Sequence, residues 1–467
     1  MKSRWPNTKQ SSSARCVCAW LFVAVLALDG LSQALSVNPD QPIWMSSAWA
    51  DDDSDDSGST SSSTSSNTAD PGGGTDKRNN PNPSAGRLPN FLSFLGGSDA
   101  ERNEVLAAGL TARQRTQLTQ LNYQVIVQRN SRLIGPQVDR VKLPSGVSIN
   151  AAIEQIRKIS PLSLVDRNHF YTTNQSAQDA STAASFQSMV GWGNTPSCNQ
   201  RVLIGMIDTR VDRQHASLHG QAIELHSARA ADRAASDASH GTAIASLMLG
   251  KPEGPLPGLL PRAKLLAVDA FHQGPRSDNR MDAFDFAAAL DWLVQRGVKV
   301  VNLSFSGPHN MLIESSIQAA QKRGVILVAA VGNDGPTASP RFPAAYPGVI
   351  AVTAVRTDLQ VFRRAVRGEH LSLSAPGVDV KVADTTDASA TVLRSGTSYA
   401  VPFVSAAAAL LQANGVGKSG AAAVHQHLIK TSLDLGPAGF DSMFGHGLLQ
   451  MGAVCKMPSS GMQAKSG

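Results

Sequence analysis

The chain has 467 residues, 42% hydrophobic and 17% charged, with 42 Lys and Arg against 36 Asp and Glu for a formal charge of +6. That is the composition of a globular protein longer than one average domain. The charge is modest and no basic block is interleaved with aromatics, which argues against a nucleic-acid partner.

The first segment, "MKSRWPNTKQSSSAR", carries four basic residues and no acidic one, and runs into the apolar "CVCAWLFVAVLAL". A basic stretch before an apolar run of this length reads as a secretory signal, and the run is short for a membrane span. Small residues at Ser32 and Ala34 give residues 1–34 as the signal; Ala48-Trp49-Ala50 offers a second cleavage pattern, extending it to 50. Left uncleaved, the segment would be a membrane anchor, the one route to a membrane partner. Residues 51–100 are rich in Ser, Asp, Gly and Pro and poor in apolar side chains, the signature of a disordered linker.

Residues 101–173 form a small α+β unit. "ERNEVLAAGLTARQRTQLTQL" is helical in pattern, "YQVIVQR" is a strand, "INAAIEQIRKI" is a second helix and "LSLVDRNHFY" is extended. Residues 174–197 follow as a flexible linker. From about 200 an alternation begins. "RVLIGMID", "AKLLAVDA", "VKVVNLSF", "VILVAAVG" and "GVIAVTAV" are Val- and Ile-rich runs, as strands buried on both faces should be. Between them "HGTAIASLMLG", "MDAFDFAAALDWLVQRG" and "MLIESSIQAAQKRG" read as helices. The pattern predicts an α/β domain over 198–455 built on a doubly wound, mainly parallel sheet, with a tail at 456–467. In such sheets sites gather at the carboxyl ends of the strands.

Of four cysteines, Cys16 and Cys18 fall in the signal. No C-x-x-C and no Cys/His cluster at zinc spacing is present, so no metal site is assigned. In an oxidising compartment Cys198 and Cys455 either close a disulfide between the ends of the larger domain or remain two free thiols.

Asp208 ends the first buried strand, His240 opens the next helix, Asn333 closes a later strand, and Ser398 opens a helix in "RSGTSYAVPFVSAAAALL". Alone, each has an ordinary reading: a turn cap, a helix-start histidine, a turn residue beside glycine, an N-cap. Together they are the four residue types that acyl transfer by serine needs. A hydroxyl requires a base, the base an anion, and the developing oxyanion a donor. "GTSYA" also loosely matches the lipase elbow, with Asp434 and His446 following in order. Only 69 residues remain after Ser398, too few for the strands that fold would need.

"IDTRVD", "SHGTAIA", "VGNDG" and "SGTSYAVP", in that order, resemble the subtilisin-like serine peptidases. The resemblance implies an exported serine endopeptidase with Ser398 as nucleophile, His240 as general base then acid, and Asp208 as orienting carboxylate. The Asn333 side chain and the Ser398 backbone N–H would form the oxyanion hole. It implies polypeptide substrates, no cofactor for the chemistry, and a secreted, periplasmic or cell-surface location. Structural calcium, frequent in the family, is left open. "VNLSFSGP" is similar to the family's substrate-binding strand, putting Ser304, Phe305, Ser306 and Gly307 beside the substrate. "PRFPAAYPGVIAV" is similar to the segment closing the primary specificity pocket. Arg341 would then lie near the pocket's base, favouring an acidic side chain before the scissile bond, or point to solvent. The 101–173 unit looks like a propeptide that assists folding, occupies the cleft and is cut away at a maturation site in the 174–197 linker, making the chain's own propeptide a partner. Arg210, Ser306, Tyr399 and Phe403 depart from the family's usual residues without removing a catalytic group. Two alternatives stand beside this reading: a maturation protease dedicated to one partner, and a silent member of the fold that binds peptides without cutting.

Overall fold

The computed structural model describes residues 98–455 except 174–175, 178–185, 193–199 and 276. The candidate signal, nearly all of the linker to 100, most of 174–197, the tail and Cys198 lie outside the described residues, as does the Cys455 side chain. The cysteine pairing is therefore outside them too. No helix among the described residues is long and apolar enough to cross a membrane.

In chain order the elements are β1 (Ala100–Ala108), α1 (Ala112–Gln120), β2 (Gln124–Asn130), β3 (Gln137–Lys142), α2 (Ile149–Ile159), β4 (Leu164–Thr172), β5 (Ser176–Ala177), α3 (Phe186–Met189), β6 (Leu203–Asp208), β7 (Ile223–Ser227), α4 (Ser239–Leu249), β8 (Lys264–Asp269), β9 (Phe271–Gln273) and β10 (Asn279–Asp282). They continue with α5 (Ala283–Gln295), β11 (Val300–Leu303), α6 (Met311–Lys322), β12 (Ile326–Ala330), β13 (Ile350–Val355), β14 (Leu373–Pro376), β15 (Val380–Ala383), β16 (Thr391–Ser395), α7 (Thr397–Ala413), α8 (Ala421–Lys430) and α9 (Met451–Cys455).

The larger sheet has seven strands in the order β14-β13-β12-β11-β6-β8-β7, each paired in parallel with its neighbours. Strand order turns back on itself at β6 and β11, which opens a crevice at their carboxyl ends. All five predicted strands are present. Two more, β7 and β14, complete the edges. Helix α7 packs its Ala-rich body on the sheet and is buried from Thr397 to Leu411.

The 101–173 unit differs from expectation at its start. "ERNEVLAA" is β1, not helix, and the helix begins only at Ala112. Leu106, Ala107 and Ala108 pair with β3 on one side and β4 on the other, so a run of good helix formers is held as a central strand by its neighbours. Helices α1 and α2 cover one face around Leu118, Ala152 and Ile156, which pack on Val105, Val141 and Val165.

This small sheet does not end at the unit's border. Its order is β2-β3-β1-β4-β10-β9, so β4 pairs antiparallel with β10 of the larger domain: Phe170 with Asp282, Tyr171 with Met281, Thr172 with Arg280. Ion pairs cross the same border. Arg140, fully buried and paired with Glu104 of its own unit, reaches across to Asp232 at 3.0 Å, and Arg129 reaches Asp285 at 2.9 Å. Asp166 accepts the Met311 N–H at 2.8 Å, placing a carboxylate at the positive end of α6.

Candidate active site

Asp208 is the last residue of β6 and His240 the second of α4; both are fully buried. His240 Nδ1 lies 2.7 Å from Asp208 Oδ1, which also accepts the Thr209 N–H at 2.7 Å. With that carboxylate oxygen on Nδ1, the ring proton is held there and Nε2 is left as the acceptor. The two loops are pressed together. Thr209 Oγ1 accepts the Gly241 N–H at 2.9 Å, and a Cβ at position 241 would run into the carbonyls of Thr209 and Arg210. Arg210 adds a tie of its own, donating from N to Ser236 Oγ and from Nε to Ser236 O at 3.1 and 2.8 Å. Asp269 stands opposite Asp208 in the β6–β8 register, and burial pushes its carboxyl up to about 6 against the pull of Ser236 and Arg229.

Ser398 is the second residue of α7 and almost fully buried. Its carbonyl would normally accept from the residue four places on, but that residue is Pro402, which has no N–H. Ser304 Oγ supplies the missing bond, donating to Ser398 O at 2.9 Å. Behind it Asn302 donates from Nδ2 to Ser304 Oγ and accepts from Ser405 Oγ, at 2.9 and 3.0 Å. Asn333 is fixed from the same helix: Thr397 donates to its Oδ1 from N at 3.1 Å and from Oγ1 at 2.9 Å. These bonds settle which end of the amide is oxygen, so NH2 is the end that can donate. The Tyr399 ring lies 5.7 Å from the His240 ring, and burial raises its hydroxyl pKa well above the ordinary tyrosine value.

His240 Nε2 is buried and makes no hydrogen bond among the described residues, so the Ser398 hydroxyl is not bonded to it. In sites without substrate that contact is often long and closes on binding. Of the predicted substrate-binding residues, Ser304 turns inward to the helix that carries Ser398. Phe305 turns into the core against Phe271 and Phe286, at 5.7 and 6.0 Å. Ser306 and Gly307 present backbone: Ser306 exchanges N–H and C=O bonds with Thr172 at 3.2 and 3.0 Å, and Gly307 does so with Phe342 at 2.8 and 2.9 Å. Arg341 Nε lies 2.9 Å from Asp334 Oδ2.

Among the described residues His272, Asp282 and Asp285 bring three potential metal ligands together. Arg233 pairs with Asp282 at 3.0 Å, Arg129 with Asp285, and Arg280 donates to His272 Nε2 at 3.3 Å. Arginine, not a metal ion, balances this charge, and His272 is pushed down to about 3 by burial and the surrounding guanidinium groups. Sequence reasoning missed Thr397, Asn302, Ser405 and Thr209. Each is a common polar residue whose partner is distant in the chain, and only Pro402, four residues after Ser398, carried a readable signal.

The model of the subtilase family matches residues 199–447, a span holding Asp208, His240, Asn333 and Ser398. The minor extracellular protease Epr of Bacillus subtilis is 32% identical over 216 residues, covering 46% of this chain and 32% of Epr. Subtilisin BL of Lederbergia lenta is 32% identical over 220 residues, covering 46% of this chain and 77% of its own length. The crystal structure of fervidolysin from Fervidobacterium pennivorans matches with a TM-score of 0.65 at 21% identity, covering 80% of this chain and 63% of that one, a likeness of fold alone. The chain spans about a third of Epr and, in sequence, 41% of fervidolysin. With the ordered motifs on strand ends and helix starts, the family model matching more than half of the chain and 77% of subtilisin BL covered at 32% identity, the chain belongs to the subtilase family.

Proposed function

We propose that this chain is an exported serine endopeptidase, made as a proenzyme that cuts itself. Ser398 Oγ attacks the carbonyl carbon of the scissile peptide while its proton passes to His240 Nε2. Asp208 holds the ring and balances the imidazolium. The oxyanion takes hydrogen bonds from the Asn333 NH2 and the Ser398 N–H. Collapse expels the amine, which leaves with the proton from Nε2. Water then repeats the sequence on the acyl-enzyme and frees Ser398.

One observation carries the reading: the segments before and after 174–175 are paired with strands that lead to Ser398 from both sides. On one side Thr172 is paired with Ser306, two residues from the Ser304 that bonds Ser398. On the other, β5 pairs antiparallel with β16, Ser176 with Ser395 and Ala177 with Arg394, just ahead of Ser398. An extended strand on each side of a nucleophile is how a peptide substrate lies in a cleft by β-augmentation. Cleavage between Thr172 and Ser176 would free the 101–173 unit as a propeptide. Export accords with the basic and apolar N-terminal segment, and Epr is by name an extracellular protease. The test is N-terminal sequencing of the matured chain with a fluorophosphonate probe. A new N-terminus at 173–176 and a labelled product are expected; an unlabelled chain that never shortens overturns the proposal.

Two further outcomes are expected. Asn333→Ala should lower kcat by about 10²–10³ with little change in KM, the scale set by the oxyanion-hole asparagine of subtilisin. Steady-state kinetics on one peptide substrate would check it. Tyr171 is fully buried, with its hydroxyl donating to Pro308 O at 2.6 Å and its ring edge-on to Phe305 at 6.2 Å. Tyr171→Ala should weaken the hold of the cut propeptide by about 2 kcal/mol or more, as for a central interface aromatic. The lag before activity appears should shorten accordingly.

A further inference from the structure

We infer that Ser306 and Arg341 form a size gate on the side chain immediately before the scissile bond, admitting residues such as alanine, serine or asparagine and excluding large apolar ones. This rests on the peptidase reading above. Strands β11 and β12 are neighbours, and the segments that follow them, 304–307 and 331–334, form two walls reaching from the sheet to Ser398. A peptide paired with Ser306 as Thr172 is, and running toward Ser398, comes level with Ser304 two residues later. There its side chain must enter between the walls.

That space is already occupied. Gly332 has φ +97°, and a Cβ built on it would lie 2.9 Å from Ser306 Oγ and 3.1 Å from Arg341 Cγ. The serine hydroxyl and the arginine stem thus both stand over the bare Cα of Gly332. Arg341 is held from both ends. Its neighbour Phe342 is locked to Gly307 by two backbone bonds, and its Nε lies 2.9 Å from Asp334 Oδ2, a charge contact without hydrogen-bond geometry. An aromatic or leucine side chain would have to displace Ser306 or break that pair. Because Asp334 answers the guanidinium charge, the gate sorts by size, and an acidic side chain meets an arginine already paired.

The test uses the matured wild type on peptides differing only at this position, with Ala, Ser, Asn, Glu, Leu or Phe. Overpacking of a filled site sets the scale: kcat/KM for Ala should exceed that for Phe by about 10-fold to 100-fold. Ser306→Gly and Arg341→Gly should each raise the Phe-to-Ala ratio about 10-fold, and Asp334→Asn should raise the Glu-to-Ala ratio. Two opening variants guard against one that fails to fold. A labelled wild type that cuts Phe and Ala peptides alike overturns the gate and spares the peptidase reading, as does an unchanged ratio in both glycine variants. A wild type that takes no fluorophosphonate label overturns both.

Discussion

Replacing Ser398 by alanine is expected to leave the chain whole. The wild type should lose its N-terminal unit by a cut between Thr172 and Ser176, while Ser398→Ala keeps its full mass over the same hours and takes no fluorophosphonate label. Subtilisin, whose triad deletions set the scale, loses about 10⁶ in kcat when its serine is removed. The substitution should not disturb the fold. What Ser398 gives the structure is a carbonyl that accepts from Ser304, and alanine keeps that carbonyl. A change in melting temperature equivalent to more than about 1 kcal/mol would point to a structural role instead. Shortening of Ser398→Ala at the wild-type rate would mean that another protease makes the cut.

Asp208→Asn should cost on the order of 10⁴ in kcat, the loss seen when a triad carboxylate becomes an amide. The geometry makes this variant informative. One oxygen, Oδ1, takes both the Thr209 N–H and the contact from His240 Nδ1, while Oδ2 is buried without a hydrogen bond among the described residues. An asparagine can keep both bonds through its carbonyl and put NH2 where Oδ2 was. Ring placement can therefore survive while the negative charge is lost. The imidazolium that forms as Ser398 gives up its proton then sits in a buried site with no counter-charge. Single-turnover kinetics should show the fall in the acylation step, with substrate binding unchanged. A loss below tenfold would mean that Asp208 serves orientation alone.

Much of this was readable in the sequence because the site uses strand ends and helix starts. Asp208, His240, Asn333 and Ser398 each stand where a Val- and Ile-rich run stops or an Ala-rich helix begins. The five central strands are buried on both faces and announce themselves as unbroken apolar runs. The edges are quieter. β7 is "IELHS", whose exposed positions dilute its pattern, and β14 is four residues ending in proline. "ERNEVLAA" misled because Glu, Leu and Ala favour helix locally, while pairing on both sides makes it a strand. Within the site, the ties from Thr397 to Asn333 and from Asn302 to Ser304 and Ser405 could not be read, since each depends on side-chain direction at residues brought together only by the fold. Tyr171 looked like the end of an extended segment; that its ring is fully buried follows from the bare Cα of Gly307 over which it lies.

The six-stranded sheet shared by β4 and β10 has a consequence under the proposed maturation. Were β4 cut away, β10 on one rim and Ser306 on the other would be left with unanswered amide and carbonyl groups facing each other across one strand's width. Only a straight stretch of polypeptide that has let go of its own helix or sheet can satisfy both rims at once. On the proposed peptidase reading, such a groove would gauge the foldedness of a protein before reading any side chain: compact domains would pass by uncut, while frayed ends and long loops would be taken.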